Sequence, residues 1–390
     1  MKALVLGAGR IGRGFVTELL TKNNVPIVFF DNSKELVKSL NDLKKYTIHV
    51  LGHEDLNTHI ENAEAYWVND HENLVKKWEQ ADFIFTAVGG KNMASVGKVL
   101  AGAYKQIIRD NKVKKTNIIT CENWVDPAKD LKEAILNELD ESEKVSFNQN
   151  TGVSEAVVMA TGTGAPNPSD LKNPMDTWVQ NMWYLPVDKS RITGKLPAWE
   201  CITFIDDFGD LLKQKLYTNN TSVALIAFLG RLRKFRYVSE SANDPEIEKI
   251  LDRAYGEINQ SLINGMGINK ESQLKFSKNA KAKYQDREIV DDITRIARDP
   301  IRKLGREDRL IGPAKIAMSI GIKPKAISMA IAAALYYENP QDESAVRLKD
   351  MREEKGIDYI LQNISKLDEN DPLISLVHES INDLKQMHWI

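Results

Sequence analysis

Residues 2 to 31 constrain the fold more than any other part of the chain. Lys2 to Leu6 reads as a buried strand, Gly7-Ala8-Gly9-Arg10-Ile11-Gly12 follows, and Phe15 to Thr21 continue with helical periodicity. A second apolar run, Pro26 to Phe30, ends at Asp31, 19 positions past Gly12. Strand, glycine turn, helix, strand and acid in that order mark a dinucleotide-binding βαβ unit. Gly7 would make the tight turn, Gly9 would let the backbone approach a pyrophosphate, and Gly12 would let the helix pack closely on the strand. Arg10 and Ile11 lie at the helix N-terminus, where free N–H groups and the dipole attract phosphate. Asp31 is expected to bind ribose hydroxyls and repel a 2′-phosphate, which favours NAD over NADP. A glycine turn with no nucleotide is the competing reading.

The βαβ rhythm continues. Asn32 and Ser33 cap a helix over Lys34 to Leu43. Ala81 to Val88 and Asn117 to Cys121 read as strands ending at Gly89-Gly90 and Glu122-Asn123. Ligands bind beyond the carboxyl ends of strands in such sheets, so Val88, Gly89 and Asn123 join the cofactor set. An ordinary turn explains Gly89 and Gly90 equally well. Val145 to Asn148 and Val153 to Met159 read as further strand material, Trp183 to Val187 as the last strand, and 44 to 72 as an antiparallel excursion. From Ile205 onward the pattern is helical, with helices expected near 205–216, 221–236, 245–265, 286–297, 313–320, 325–337, 341–354, 356–364 and 371–386. The fold class is therefore α/β: a doubly wound, mostly parallel Rossmann domain over 1–192, then an all-α domain over 193–390, with substrate expected between them.

Composition narrows the partners. A net charge of -2 over 390 residues calls for neither nucleic acid nor an anionic membrane. The two cysteines, Cys121 and Cys201, show no metal-ligand spacing and fit a reducing cytoplasm. The acidic residues form no metal-like grouping. The apolar run Ala326 to Tyr337 is too short to span a bilayer.

Met1 to Phe15, Thr86 to Gly89, Ile119 to Asn123 (ITCEN) and Pro300 to Leu310 (PIRKLGREDRL) resemble the polyol-specific long-chain dehydrogenase (mannitol dehydrogenase) family, in its mannitol-1-phosphate 5-dehydrogenase branch. The resemblance runs in one order over nearly the whole chain. It implies NAD-dependent interconversion of mannitol 1-phosphate and fructose 6-phosphate by a monomer. It implies a lysine general base in a Lys-x4-Asn-x2-His pattern. Here Lys215 and Asn220 match, while Val223 holds the histidine position. Asn123 matches an asparagine that holds the substrate oxygen. The family's Val-Asp-Arg element is Val157-Val158-Met159 here, so carboxylate and arginine are both missing. No histidine lies between residues 72 and 377 to substitute. Arg302 and Lys303 are the expected substrate contacts, in a block with four cations in eight residues that suits a phosphate. By spacing alone, Lys215 also reads as a solvated helix lysine, and the cationic block as a solvated loop. Two further functions stay open: a catalytically impaired NAD(H)-binding sensor, and a relative acting on a hexuronate or other hydroxy acid.

Overall fold

The computed structural model describes residues 1–160, 162–165 and 168–390. It divides into two compact units, Met1–Phe208 and Gly209–Ile390.

In the first unit the strands are β1 (Ala3–Leu6), β2 (Ile27–Asp31), β3 (Tyr46–Val50), β4 (Thr58–Ile60), β5 (Ala65–Trp67), β6 (Phe83–Thr86), β7 (Thr116–Thr120), β8 (Thr151–Glu155), β9 (Gly162–Thr163), β10 (Thr177–Val179), β11 (Leu185–Asp188) and β12 (Ile202–Ile205). Six of them form one sheet in the order β5-β2-β1-β6-β7-β8, with every pair parallel. A parallel sheet is covered on both faces, and the strand sequences show why it can be. Ala3, Val5, Phe83, Phe85 and Ile119 enter one core. Leu4, Leu6, Ile84 and Ile118 enter the other. Strand order reverses between β1 and β6, the switch point where such sheets take ligands.

The antiparallel excursion is present. β3 pairs antiparallel with β4 and belongs to a second sheet, β4-β3-β10-β9, while β5 returns to the main sheet. Two strand expectations are corrected. Val145 to Asn148 lies in the helix Glu141–Asn150, because Asp140 and Glu143 cap each other's backbone N–H groups and nucleate a helix there. Trp183 to Val187 is not the last strand, since β11 pairs in parallel with the later β12.

The second unit is helical throughout its described elements. Thr221–Leu232 and Lys325–Leu335 are apolar on nearly every side and form its centre. The expected break between 354 and 356 falls at Gly356, whose φ of 83° interrupts the helix Glu343–Asn363. The expected helix at 286–297 is only Ile293–Ala297. A 16-residue helix, Lys270–Gln285, escaped the sequence reading. No helix among the described residues is long and apolar enough to cross a membrane.

Candidate functional site

In the first unit the glycine turn is built by close contact. Gly7 has φ 93°, and a Cβ there would lie 2.4 Å from the carbonyl oxygen of Ala87. A Cβ on Gly12 would lie 1.9 Å from the carbonyl oxygen of Gly7. Gly9 differs: a Cβ there would meet nothing within 4 Å, so its front is open. The helix that follows starts with a π turn, Arg10–Val16, capped by Gly9. Its first N–H groups have no intrahelical acceptor and suit an anion. The Arg10 side chain is exposed and Ile11 is half-buried. Asp31, at the end of β2, is buried and accepts the Ala8 N–H (2.7 Å) and the Ser33 N–H (2.8 Å). It thus ties the turn to the sheet, and each oxygen keeps lone-pair capacity for a ribose hydroxyl. These features fit an NAD.

Val88 and Gly89 follow β6, and their N–H groups are already engaged. Glu122, after β7, accepts Val88 N–H (2.9 Å), Gly89 N–H (2.8 Å) and the Thr86 hydroxyl (3.0 Å). Sequence reasoning saw Glu122 only as a strand terminator. Its neighbour Asn123 is exposed and leads into the exposed Trp124 and Val125. Val158 is half-buried and Met159 buried. Cys121 is buried, and that burial pushes its thiol up, so it is no nucleophile.

In the second unit, Lys215 ends the helix Phe208–Lys215, and a π turn, Leu216–Asn220, joins it to Thr221–Leu232. A π turn bonds residues five apart, so Lys215 and Asn220 share a face, and Val223 follows one α turn later. The five-residue spacing has this geometric cause. The turn is held by Tyr217 Oη and Thr221 Oγ1, which donate to the carbonyls of Glu307 and Arg309. That anchoring brings Arg309 against Lys215. Burial first, and the Arg309 charge second, push Lys215 down to about 8. The side chain still touches solvent, so it can exchange its proton. Lys283, from the helix the sequence did not reveal, is also pushed down to about 8, by burial and then by Lys215. Asn220 is half-buried, whereas Asn219 is buried with its Oδ1 unpartnered. Val223 is buried in the apolar core.

The 302–309 block spends much of its charge internally. Arg302 is exposed and pairs with Asp299 (2.9 Å) and Asp308 (3.1 Å). Arg309 pairs with Asp308 at 2.7 Å. Lys303 is buried, donates to the Arg298 carbonyl, and is pushed down to about 7 by burial and then by Arg309. Among the described residues no group of three His, Cys, Asp or Glu could hold a metal ion.

Comparison with known proteins places both units. Residues 1–201 match the mannitol dehydrogenase Rossmann domain, and residues 209–385 the mannitol dehydrogenase C-terminal domain. A mannitol-1-phosphate 5-dehydrogenase of Thermoanaerobacter pseudethanolicus is 32% identical over 388 residues, covering 99% of this chain and 98% of its own. One of Bacillus subtilis is 31% identical over 386 residues, covering 98% and 100%. Among solved structures, Pseudomonas fluorescens mannitol 2-dehydrogenase in ternary complex with NAD and D-mannitol superposes with TM-score 0.73 at 14% identity, covering 100% of this chain and 92% of its own. A substrate-free D-sorbitol dehydrogenase reaches TM-score 0.80 at 13% identity, covering 99% and 93%. These two likenesses concern the fold.

Proposed function

Because this chain belongs to the mannitol dehydrogenase family, we propose that it is an NAD-dependent dehydrogenase that interconverts mannitol 1-phosphate and fructose 6-phosphate. The observation that carries the reading is Lys215, pushed down to about 8 and sharing a π-turn face with Asn220. Bound NAD supplies the hydride acceptor for the alcohol, or the donor for the ketone. Neutral Lys215 takes the hydroxyl proton during oxidation and returns it during reduction. The Asn220 carboxamide donates to the substrate oxygen as charge develops on it, the role that the family resemblance also gives Asn123. Gly7, Gly9, Arg10, Ile11 and Gly12 form the phosphate cradle, and Asp31 takes the adenosine ribose. Val88 and Gly89 border the cofactor through their side-chain and Cα surfaces, since Glu122 holds their N–H groups. The cations Lys283 and Arg309 beside Lys215 favour an anionic substrate, which supports the phosphate over the free sugar. Of the two residues expected to bind it, exposed Arg302 would have to exchange its pairs with Asp299 and Asp308 for substrate, while buried Lys303 donates to the Arg298 carbonyl.

Val223 places no imidazole on the Lys215 face. That observation favours a second reading, a nucleotide-binding homologue without turnover. NADH oxidation with fructose 6-phosphate and with fructose, in wild type and Lys215→Ala, separates the two. The dehydrogenase reading expects turnover of the phosphate and a loss of about 100-fold or more in Lys215→Ala. Bound NADH with no turnover of either sugar would sink it.

A further inference from the structure

Glu122 is a buried carboxylate, 8% exposed, with no ion-pair partner among the described residues. Buried charges are usually paired. Here the compensation is three donors instead: two backbone N–H groups and one hydroxyl. Each carboxylate oxygen accepts an N–H, Oε1 from Val88 and Oε2 from Gly89, an arrangement suited to a carboxylate. The charge sits on the segment Thr86–Gly89, whose Ala87 carbonyl presses against Gly7. It therefore lies within one strand of the dinucleotide turn, at the C-terminal ends of β6 and β7, where the sheet order has just reversed. A fixed negative charge there, unneutralised and screened by little water, acts on whatever cation comes near.

The two redox forms of the cofactor differ by such a charge. The oxidised nicotinamide ring is cationic and the reduced ring is neutral. We propose that Glu122 is a specificity-determining residue that biases the site toward the oxidised nucleotide, through the unpaired charge it holds over β6 and β7. The inference rests on the NAD reading above. The same carboxylate positions the 86–89 segment, and that part of its role touches both redox forms alike. Only the charge discriminates.

The test is equilibrium binding, with no turnover involved. NADH is titrated by its fluorescence and NAD by competition, in wild type, in Glu122→Gln and in Thr86→Val. Glu122→Gln removes the charge together with one of the two acceptors. The lost acceptor weakens both nucleotides alike, so it is the ratio of NAD affinity to NADH affinity that should fall, roughly tenfold, the scale of one charge at several ångströms in partly buried surroundings. Thr86→Val removes a hydrogen bond and leaves the charge, so its ratio should match wild type. Equal weakening of both nucleotides by Glu122→Gln would make the residue merely structural and overturn the inference. Should Glu122→Gln not fold, wild type alone decides: it should bind NAD at least as tightly as NADH, and a tenfold preference for NADH overturns the inference. Wild type that binds neither nucleotide overturns the cofactor reading itself.

Discussion

Replacing Glu18 by glutamine should remove a large part of the pH dependence of stability in the first unit. Glu18 lies in the helix Thr17–Lys22, fully buried, and neither carboxylate oxygen has a hydrogen-bond partner. The buried indole N–H of Trp183 is its polar neighbour and is also unpartnered, while Lys22 Nζ lies 3.4 Å over the Trp183 ring. Burial dominates and pushes the carboxyl from 4.5 to about 7, with Lys22 and Trp183 opposing. The folded state thus holds this proton more tightly than the unfolded state. Its stabilising contribution is complete below about pH 4.5 and is lost as pH rises through 7. A shift of this size corresponds to about 3 kcal/mol between pH 4.5 and 8. Glu155, buried at the end of β8 and also raised to about 7 chiefly by burial, loses stability over the same range. Glu18→Gln should therefore halve the decline on alkalinisation, not abolish it. The buried amide adds a cost that is the same at every pH, so the slope is the readout and not the absolute value. Urea unfolding at pH 5, 6, 7 and 8, followed by tryptophan fluorescence, measures it, because six of the seven tryptophans lie in the first unit. Stability curves for variant and wild type that run parallel from pH 5 to 8 would refute the argument.

Two further predictions concern the candidate site. In Arg309→Met the cation that helps depress Lys215 is gone, so the alkaline midpoint of kcat/KM for polyol oxidation should move above 8; a midpoint that stays near 8 would leave burial as the sole cause. Asp31→Asn removes the buried charge expected to repel a 2′-phosphate while leaving an oxygen for Ala8 N–H or Ser33 N–H. Discrimination of NAD against NADP in direct binding should narrow by about tenfold, and undiminished rejection of NADP would remove Asp31 from that role.

The cofactor half of the fold was legible because its signals are local. Gly12 and Asp31 are fixed by contacts within one βαβ unit, and their spacing records those contacts, while Gly7 adds a close approach to the Ala87 carbonyl. The continuous apolar runs of β1 and β6 likewise mark strands buried on both faces. The helix Lys270–Gln285 was not legible, because it packs through Gln273, Ser277, Ala280 and Tyr284 rather than through a run of leucines. Gln273 bonds to Gln214, Thr218 and Asn259, and no hydrophobic period betrays a face built from amides. Lys283 went unseen for that reason. Glu122 was in plain view, but nothing in a sequence tells that a strand-end carboxylate turns back onto the neighbouring strand. The helix Glu141–Asn150 is a different case, because its signal was local: Asp140 and Glu143 stand at capping-box spacing.

The π turn explains how Lys215 and Asn220, five positions apart, come to share a face. In an α-helix, residues five apart diverge around the axis. Leu216–Asn220 closes that gap, and its cost is met by outside partners, since Tyr217 and Thr221 bond to the carbonyls of Glu307 and Arg309. The block from Pro300 to Leu310 therefore has two physical tasks. It supplies the Arg309 charge beside Lys215, and its backbone holds the turn that aligns Lys215 with Asn220. Most of its side-chain cations are engaged by Asp299, Asp308 or backbone carbonyls, as the scaffold role requires. Val223 then sits one turn beyond that pair, packed into the apolar core. The π turn, the depressed lysine and the cation beside it are the features on which the proposed proton transfer from a bound alcohol rests, and Val223, Val158 and Met159 are the positions at which this chain departs from the family pattern.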